Sequence, residues 1–300
     1  MSPRLCQERT LRSPGGGRQL RLGPEHPLLM GILNLTPDSF SDGGRFDSVE
    51  QAVAEALRMV DDGADILDLG AESSRPGAVA VPLEEELARL LPVVSELRKR
   101  SDVPISIDTT KASVARAALE LGADWINDIS ALKADPEMAG LAASTGAPLV
   151  LMHMQGEPRS MQEDPRYEDC LGEVIADLEA QADLAIAAGV DRDQILVDPG
   201  IGFGKTATHN LELLHGLPRL AELGYPILLG VSRKSLLATL LQTGQRRTGS
   251  HASPEDRDIA TLALTAWAHD KGVSVHRVHH VRYARQVLDV LSGVSIGSKG

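Results

Sequence analysis

LLMGILNLTPDSFSDGG, residues 28–44, decides how the chain is read. Residues 28–33 are an unbroken apolar run, of the length and composition that a strand buried on both faces of a parallel sheet needs. The run ends in Asn34 and passes into Thr36-Pro37-Asp38 and a tail of Ser, Asp and Gly. Proline and the paired glycines Gly43 and Gly44 stop either a strand or a helix from continuing. A buried strand therefore delivers a polar amide at its carboxyl end and opens into a polar loop. Taken once, that is an ordinary strand-to-turn junction. Its recurrence down the chain gives it meaning.

Outward from this stretch, residues 48–62 place Val49, Val53, Ala56, Leu57 and Val60 at helical spacing, and Gly63 supplies the stop. Residues 65–69 form a second short strand before Gly70 and the loop AESSRPGA. The next helix has Pro82 at its start, Glu84, Glu85 and Glu86 in its first turn, and Arg98, Lys99 and Arg100 at its end. Acid first and base last is what the helix dipole favours. Further strands are predicted at 104–107, 125–126, 148–152, 195–197, 226–230 and 274–278. Helices are predicted at 111–121, 136–143, 167–188, on either side of Pro218, and at 259–269 and 281–291; residues 242–256 read as a loop. Eight strand–helix alternations without a break in composition predict an α/β chain closed as a single-domain (β/α)8 TIM barrel over residues 18–296. An open doubly wound sheet also alternates, but it usually carries a glycine-rich phosphate turn after its first strand, and none is present. Residues 1–17, with Arg4, Arg9 and Arg12 among Pro and Gly, read as a mobile N-terminal tail without the apolar core of a secretory signal. Residues 19–22 read as a short strand closing the barrel bottom.

Composition narrows the function. A net charge of −12 argues against nonspecific nucleic-acid binding and against an anionic membrane surface. Any phosphorylated ligand must therefore meet locally concentrated positive charge. Aromatics are 3% and apolar residues 42%, so the core rests on Leu, Val, Ile and Ala. Cys6 and Cys170 lie far apart in no metal-ligand spacing, which fits a reducing cytoplasm. No apolar run reaches the length of a membrane helix.

The first polar residues after the strands are Asn34, Asp68, Asp108, Asn127, His153, Asp198, Lys234, and Arg277 with His279. Singly, each is as compatible with capping or turn formation as with function, and Asp198-Pro199-Gly200 is a common turn. In a barrel all of them converge on one mouth. Carboxylates and amides then gather beside cations, as a ligand with a polar ring and a phosphate requires. Two tempting motifs fail. Gly204-Lys205-Thr206 resembles the end of a P-loop, but Pro199 stands where that motif needs glycine, and Gly200, Gly202 and Gly204 do not follow the dinucleotide fingerprint. His153, His209 and His279 lack the short spacing of a zinc site.

MGILNLTPDSFSDGG, AESSRPGA, SIDTTK, INDIS, LMHMQGEPRSMQ, LVDPGIGFGKT, VSRKS and RVHHV occur in this order between residues 28 and 291. This collinear set resembles the dihydropteroate synthase family of the folate pathway. The resemblance implies a barrel joining 4-aminobenzoate to 7,8-dihydropterin-6-ylmethyl diphosphate, with Mg2+ as cofactor and pyrophosphate as second product. It implies pterin binding by Asp108, Asn127, Met152, Asp198, Phe203, Lys234 and Arg277, with Met152 and Phe203 equally readable as core packing. The diphosphate falls to Asn34, Arg277 and His279, the metal to Asn34, and the 4-aminobenzoate to Phe40, Ser74, Pro76 and Ser235. Asp108, Lys234, Arg277 and His279 are the implied catalytic set. Loops 36–44 and 72–78 read as lids, sulfonamides as competitors of 4-aminobenzoate, and a homodimer through the last helices as the assembly. Ala71, Ser74, Leu236, Ala238 and His280 depart from the commonest pattern. They keep one rival open, a paralogue that binds pterin without turnover; a second is a pterin-binding methyltransferase domain of the same barrel superfamily, which would share Asp108, Asn127 and Asp198.

Overall fold

The structure, a computed structural model, describes residues 8–23, 26–36, 45–75, 77–243 and 253–297. It begins with a hairpin. β1 (Arg9–Arg12) pairs antiparallel with β2 (Gln19–Leu22), Leu11 opposite Leu20. The expected tail over residues 1–17 is thus corrected from Arg9 onward, and the strand expected at 19–22 has a partner. The partner was illegible because four residues flanked by arginines hold one apolar anchor, Leu11, too few for a period. Arg9 Nη1 donates to the Arg192 carbonyl at 3.2 Å and the Arg12 N–H to Gln194 Oε1 at 2.9 Å, which fastens the hairpin below the barrel.

The barrel strands and helices then alternate. They are β3 (Leu28–Asn34), α1 (Arg45–Asp61), β4 (Ile66–Gly70), α2 (Leu83–Arg98), β5 (Ile105–Asp108), α3 (Ala112–Glu120), β6 (Trp125–Asp128) and α4 (Glu137–Thr145). There follow β7 (Leu149–Met152), α5 (Cys170–Ala187), β8 (Ile195–Asp198), α6 (Ala207–His215), α7 (Leu217–Ala221), β9 (Ile227–Leu229), α8 (Ser235–Thr243), α9 (Pro254–Asp270), β10 (Val273–Val278) and α10 (Val281–Gly297). The sheet closes in the order β10-β3-β4-β5-β6-β7-β8-β9, with every pair parallel, as the alternation predicted. The expected loop at 242–256 is shorter at both ends. Thr243 closes α8, and a capping box between Ser253 and Asp256 starts α9. Residues 244–252 lie outside the described residues. The helix expected from residue 167 begins at Cys170, because the Asp169 carboxylate caps it by accepting the Gly172 N–H at 3.0 Å.

Alternate side chains of a strand face one side of the sheet. Inside the barrel this separates a dry floor from a polar mouth. Leu28, Met30, Ile66, Trp125, Val150, Leu196, Leu228 and Val275 fill the lower interior, and Leu11 and Leu22 of the hairpin close it from beneath. One step further along each strand, on the same inward face, stand Asp68, Asn127, Met152, Asp198 and Arg277; Asp108 shares this mouth on β5. Two larger apolar clusters pack the helices against the outside of the sheet.

Candidate active site

Register brings the strand ends together. Asn34 lies opposite Gly70, Gly70 opposite Asp108, and Asp108 opposite Asn127, while Met152 lies opposite Asp198. Arg277, lower on β10 beside Met30, reaches across the barrel. Its Nε donates to Asp68 Oδ2 at 2.6 Å and its Nη2 to Asp108 Oδ2 at 2.8 Å. Asn127 Nδ2 donates to the same Asp68 oxygen at 3.1 Å. The fully buried Asp68 is therefore the brace of the mouth. It stood among the strand-end residues of the sequence but was given no role, since its partner Arg277 lies 209 positions away.

Burial is the largest influence on Asp108, Asp198, Lys234 and Arg277. It pushes the Asp108 carboxyl up to about 7, against the pull of Arg277 and with repulsion from Asp68. Asp198 is raised by burial too, although Lys234 and the Gly200 N–H, donating to its Oδ1 at 2.7 Å, work the other way. Burial lowers Lys234 to about 8 while Asp198 holds it up. For Arg277 burial also pulls downward, but Asp68 and Asp108 together outweigh it and the net direction is up. Three carboxylates thus share the mouth with a guanidinium and an ammonium.

Lys234 follows a turn in which Arg233 has φ +60°, held by a bidentate pair with Asp258 of α9 at 2.7 and 3.0 Å. The Lys234 Nζ donates to the Ile201 carbonyl at 2.5 Å and lies 4.5 Å from the centre of the Phe203 ring. The His279 N–H donates to Ser232 Oγ at 3.2 Å, and that hydroxyl lies 2.9 Å from His279 Nδ1. Where the hydroxyl gives its own hydrogen to Nδ1, the ring N–H sits on Nε2. Burial, then Arg233 and Arg277, push His279 down to about 3, so its ring is a neutral donor here. Ser232 belongs to the VSRKS motif, but its contact with His279 joins the ends of β9 and β10 and is not a local signal.

Asn34 is half-buried at the rim, and Met152 is buried beside Asp198. Ser74 is half-buried in the β4–α2 loop, and Ser235 is exposed at the first position of α8. Phe40 and Pro76, expected against 4-aminobenzoate, lie outside the described residues, as does loop 36–44 from residue 37. The described residues contain no group of three or more His, Cys, Asp or Glu side chains arranged to hold a metal ion.

Fold and site define a (β/α)8 barrel whose mouth gathers three carboxylates and an amide beside a guanidinium, an ammonium and an imidazole. The pattern of the pterin-binding enzyme family matches residues 30–279. A dihydropteroate synthase from Synechocystis is 47% identical over 262 residues, 87% of this chain and 88% of that protein. The Xanthomonas albilineans dihydropteroate synthase, solved with 4-aminobenzoic acid, superposes with a TM-score of 0.86 at 42% identity, covering 96% of this chain and 99% of that one. The Yersinia pestis dihydropteroate synthase, solved with a sulfonamide drug, gives 0.84 at 40% identity, covering 95% and 99%. The chain belongs to the pterin-binding enzyme family and, within it, to the dihydropteroate synthases.

Proposed function

We propose that this mouth is where the chain condenses 4-aminobenzoate with 7,8-dihydropterin-6-ylmethyl diphosphate. The observation that carries the assignment is the convergence of Asp108, Asn127, Asp198 and Arg277 from four separate strands on one opening. A pterin edge presents amide and amidine N–H groups. Asp198 and Asn127 supply acceptors and a donor for it, and a ring of the wrong pattern leaves these buried groups unpaired. Met152 and Phe203 give the ring its apolar walls. Arg277 and Lys234 stand along its polar edge, Lys234 toward the second substrate.

The diphosphate leaves. As the carbon–oxygen bond at the exocyclic methylene breaks, its electron pair goes to the diphosphate and positive charge develops on the pterin. Arg277 and the His279 Nε2–H are fixed donors for the growing negative charge, so they favour the transition state over the ground state. The neutral amine of 4-aminobenzoate closes the new carbon–nitrogen bond and loses its proton to water. No side-chain nucleophile takes part. Ser74 and Ser235 supply hydroxyls to the 4-aminobenzoate site, Ser235 with the N-terminus of α8 for the carboxylate.

Mg2+ suits this donor set, because a hard cation that takes few protein ligands completes its shell with phosphate and water. Asn34 would hold it by its amide oxygen, and the ion would neutralise charge on the diphosphate. We also propose a homodimer through the last helices, where Ile259 of α9 and Tyr283, Val290 and Val294 of α10 are exposed apolar side chains. Sedimentation at the mass of one chain would refute it. Cys170, a buried free thiol, supports a reducing compartment such as the cytoplasm.

The deciding experiment is pyrophosphate release with each substrate alone and with both. Release that requires 4-aminobenzoate is the expected result, with sulfonamides competing against it. No release with both present would support the non-catalytic paralogue, and methyl transfer to an acceptor would support the methyltransferase domain.

A further inference from the structure

Lys205, in the loop between β8 and α6, is buried at 3% exposure outside the contacts described above. Its Nζ lies 2.9 Å from His153 Nδ1, 2.9 Å from the Phe203 carbonyl and 3.3 Å from the His153 carbonyl. Three acceptors meet the three hydrogens of one ammonium group, provided that His153 is neutral and unprotonated at Nδ1. Burial, followed by Lys205 itself, pushes His153 down to about 3, so the ring is neutral, and an ammonium 2.9 Å away selects the tautomer whose Nδ1 accepts; burial lowers Lys205 as well, to about 7. The other ring nitrogen, Nε2, faces Asp177 of α5 at 3.9 Å.

The ammonium pegs one stretch of backbone against another. Gly200 has φ +67°, and a Cβ there would overlap the His153 carbonyl oxygen; Gly204, at φ +61°, would meet the Gln155 carbonyl in the same way. Residues 199–206 thus lie directly on the chain leaving β7. From the outer side Asn210 Oδ1 accepts the Gly202 N–H at 2.7 Å. The loop held between these two anchors presents the Ile201 carbonyl and the Phe203 ring, the two groups in contact with Lys234.

We infer that Lys205 is a positioning residue for pterin recognition, holding the β8–α6 loop through His153 and Phe203 so that Phe203 and Lys234 are set before the ring arrives. This rests on the proposal that Asp198, Phe203 and Lys234 contact the pterin. A loop that must be reordered by the ligand weakens binding, while the saturated complex keeps its geometry.

The test is steady-state kinetics on the full chain carrying Lys205→Met, with thermal unfolding measured alongside. The expected result is a rise of about tenfold in KM for the pterin diphosphate, with kcat at saturation within about threefold of the parent. His153→Asn, which removes one acceptor and keeps the ammonium, is expected to raise the same KM by about threefold. An unchanged KM in a folded Lys205→Met protein, or a loss confined to kcat and unfolding temperature, overturns the inference. If Lys205→Met does not fold, His153→Asn decides, and an unchanged pterin KM there overturns it. Asp198→Asn separates the two readings. If that variant too leaves pterin binding intact, the site assignment itself fails; if it alone weakens binding, only the role of Lys205 does.

Discussion

Asp68 has no exposed surface, yet it receives hydrogen bonds from Arg277 and Asn127 on a single oxygen. A buried carboxylate is kept only when its charge is matched, and here the match also aims a guanidinium across the barrel. Asp68→Asn keeps the shape and removes the charge, leaving Asp108 as the one carboxylate that accepts from Arg277. The expected loss is ~2–3 kcal/mol of transition-state stabilisation, about 30- to 150-fold in kcat/KM, with the fold retained. Unchanged kinetics would show that Asp108 suffices. At this scale the sequence could show that a polar residue closes each strand, because an abrupt end to an apolar run is a local signal. It could not divide the carboxylates into those that read substrate and those that brace, because bracing depends on partners placed by barrel closure. Lys205 failed in the opposite way. Its local context imitated half of a phosphate loop, and the two acceptors on His153 became adjacent only when β7 and β8 paired.

The base of the β4–α2 loop is held by a cluster contributed by three elements. Lys111, just before α3, places its Nζ 2.5 Å from Glu72 of the loop and 2.5 Å from Glu86 of α2. Glu86 is buried and accepts the Thr109 hydroxyl at 2.6 Å on its other oxygen. Arg89 adds a bond at 3.0 Å to the Ala71 carbonyl. Glu86 belongs to the acidic first turn that the sequence reading assigned to the helix dipole, yet it points inward and ties that turn to the site. Lys111→Met releases Glu72 and frees the loop that carries Ser74. The expected effect is a rise of about five- to tenfold in KM for 4-aminobenzoate, with the pterin KM within about twofold. A larger change on the pterin side would place the loop against the other substrate. Strand and helix identities were readable because buried parallel strands are short apolar runs and the helices carry stripes, stops and caps. Element ends were less so: the caps at Asp169 and Ser253 depend on side-chain geometry that composition does not reveal.

Across the whole molecule, the barrel separates two duties along its axis. Charge and polar atoms gather at the carboxyl ends of the strands, while the amino ends are sealed by apolar side chains and by the β1–β2 hairpin. Leu11 has only 1% of its surface exposed and packs in the same cluster as Leu28, Trp125 and Val275. Arg18, between the two strands, donates to Asp124 at 3.0 Å, and Arg98 of α2 donates to the same carboxylate at 2.9 Å, so the hairpin is also tied to the lower rim by charge. If the hairpin were a mobile tail, trimming Leu11 would cost almost nothing. As a plug it completes the floor, and Leu11→Ala leaves a cavity beneath the barrel interior. The expected cost is about 2–4 kcal/mol, read as a lower urea midpoint with an unchanged slope. Because the floor and the mouth are separated by the packed interior, kcat and both KM values of the folded variant should stay within about twofold of the parent. A shifted pterin KM would show that floor packing reaches the ring site; an unshifted midpoint would return these residues to the status of a tail.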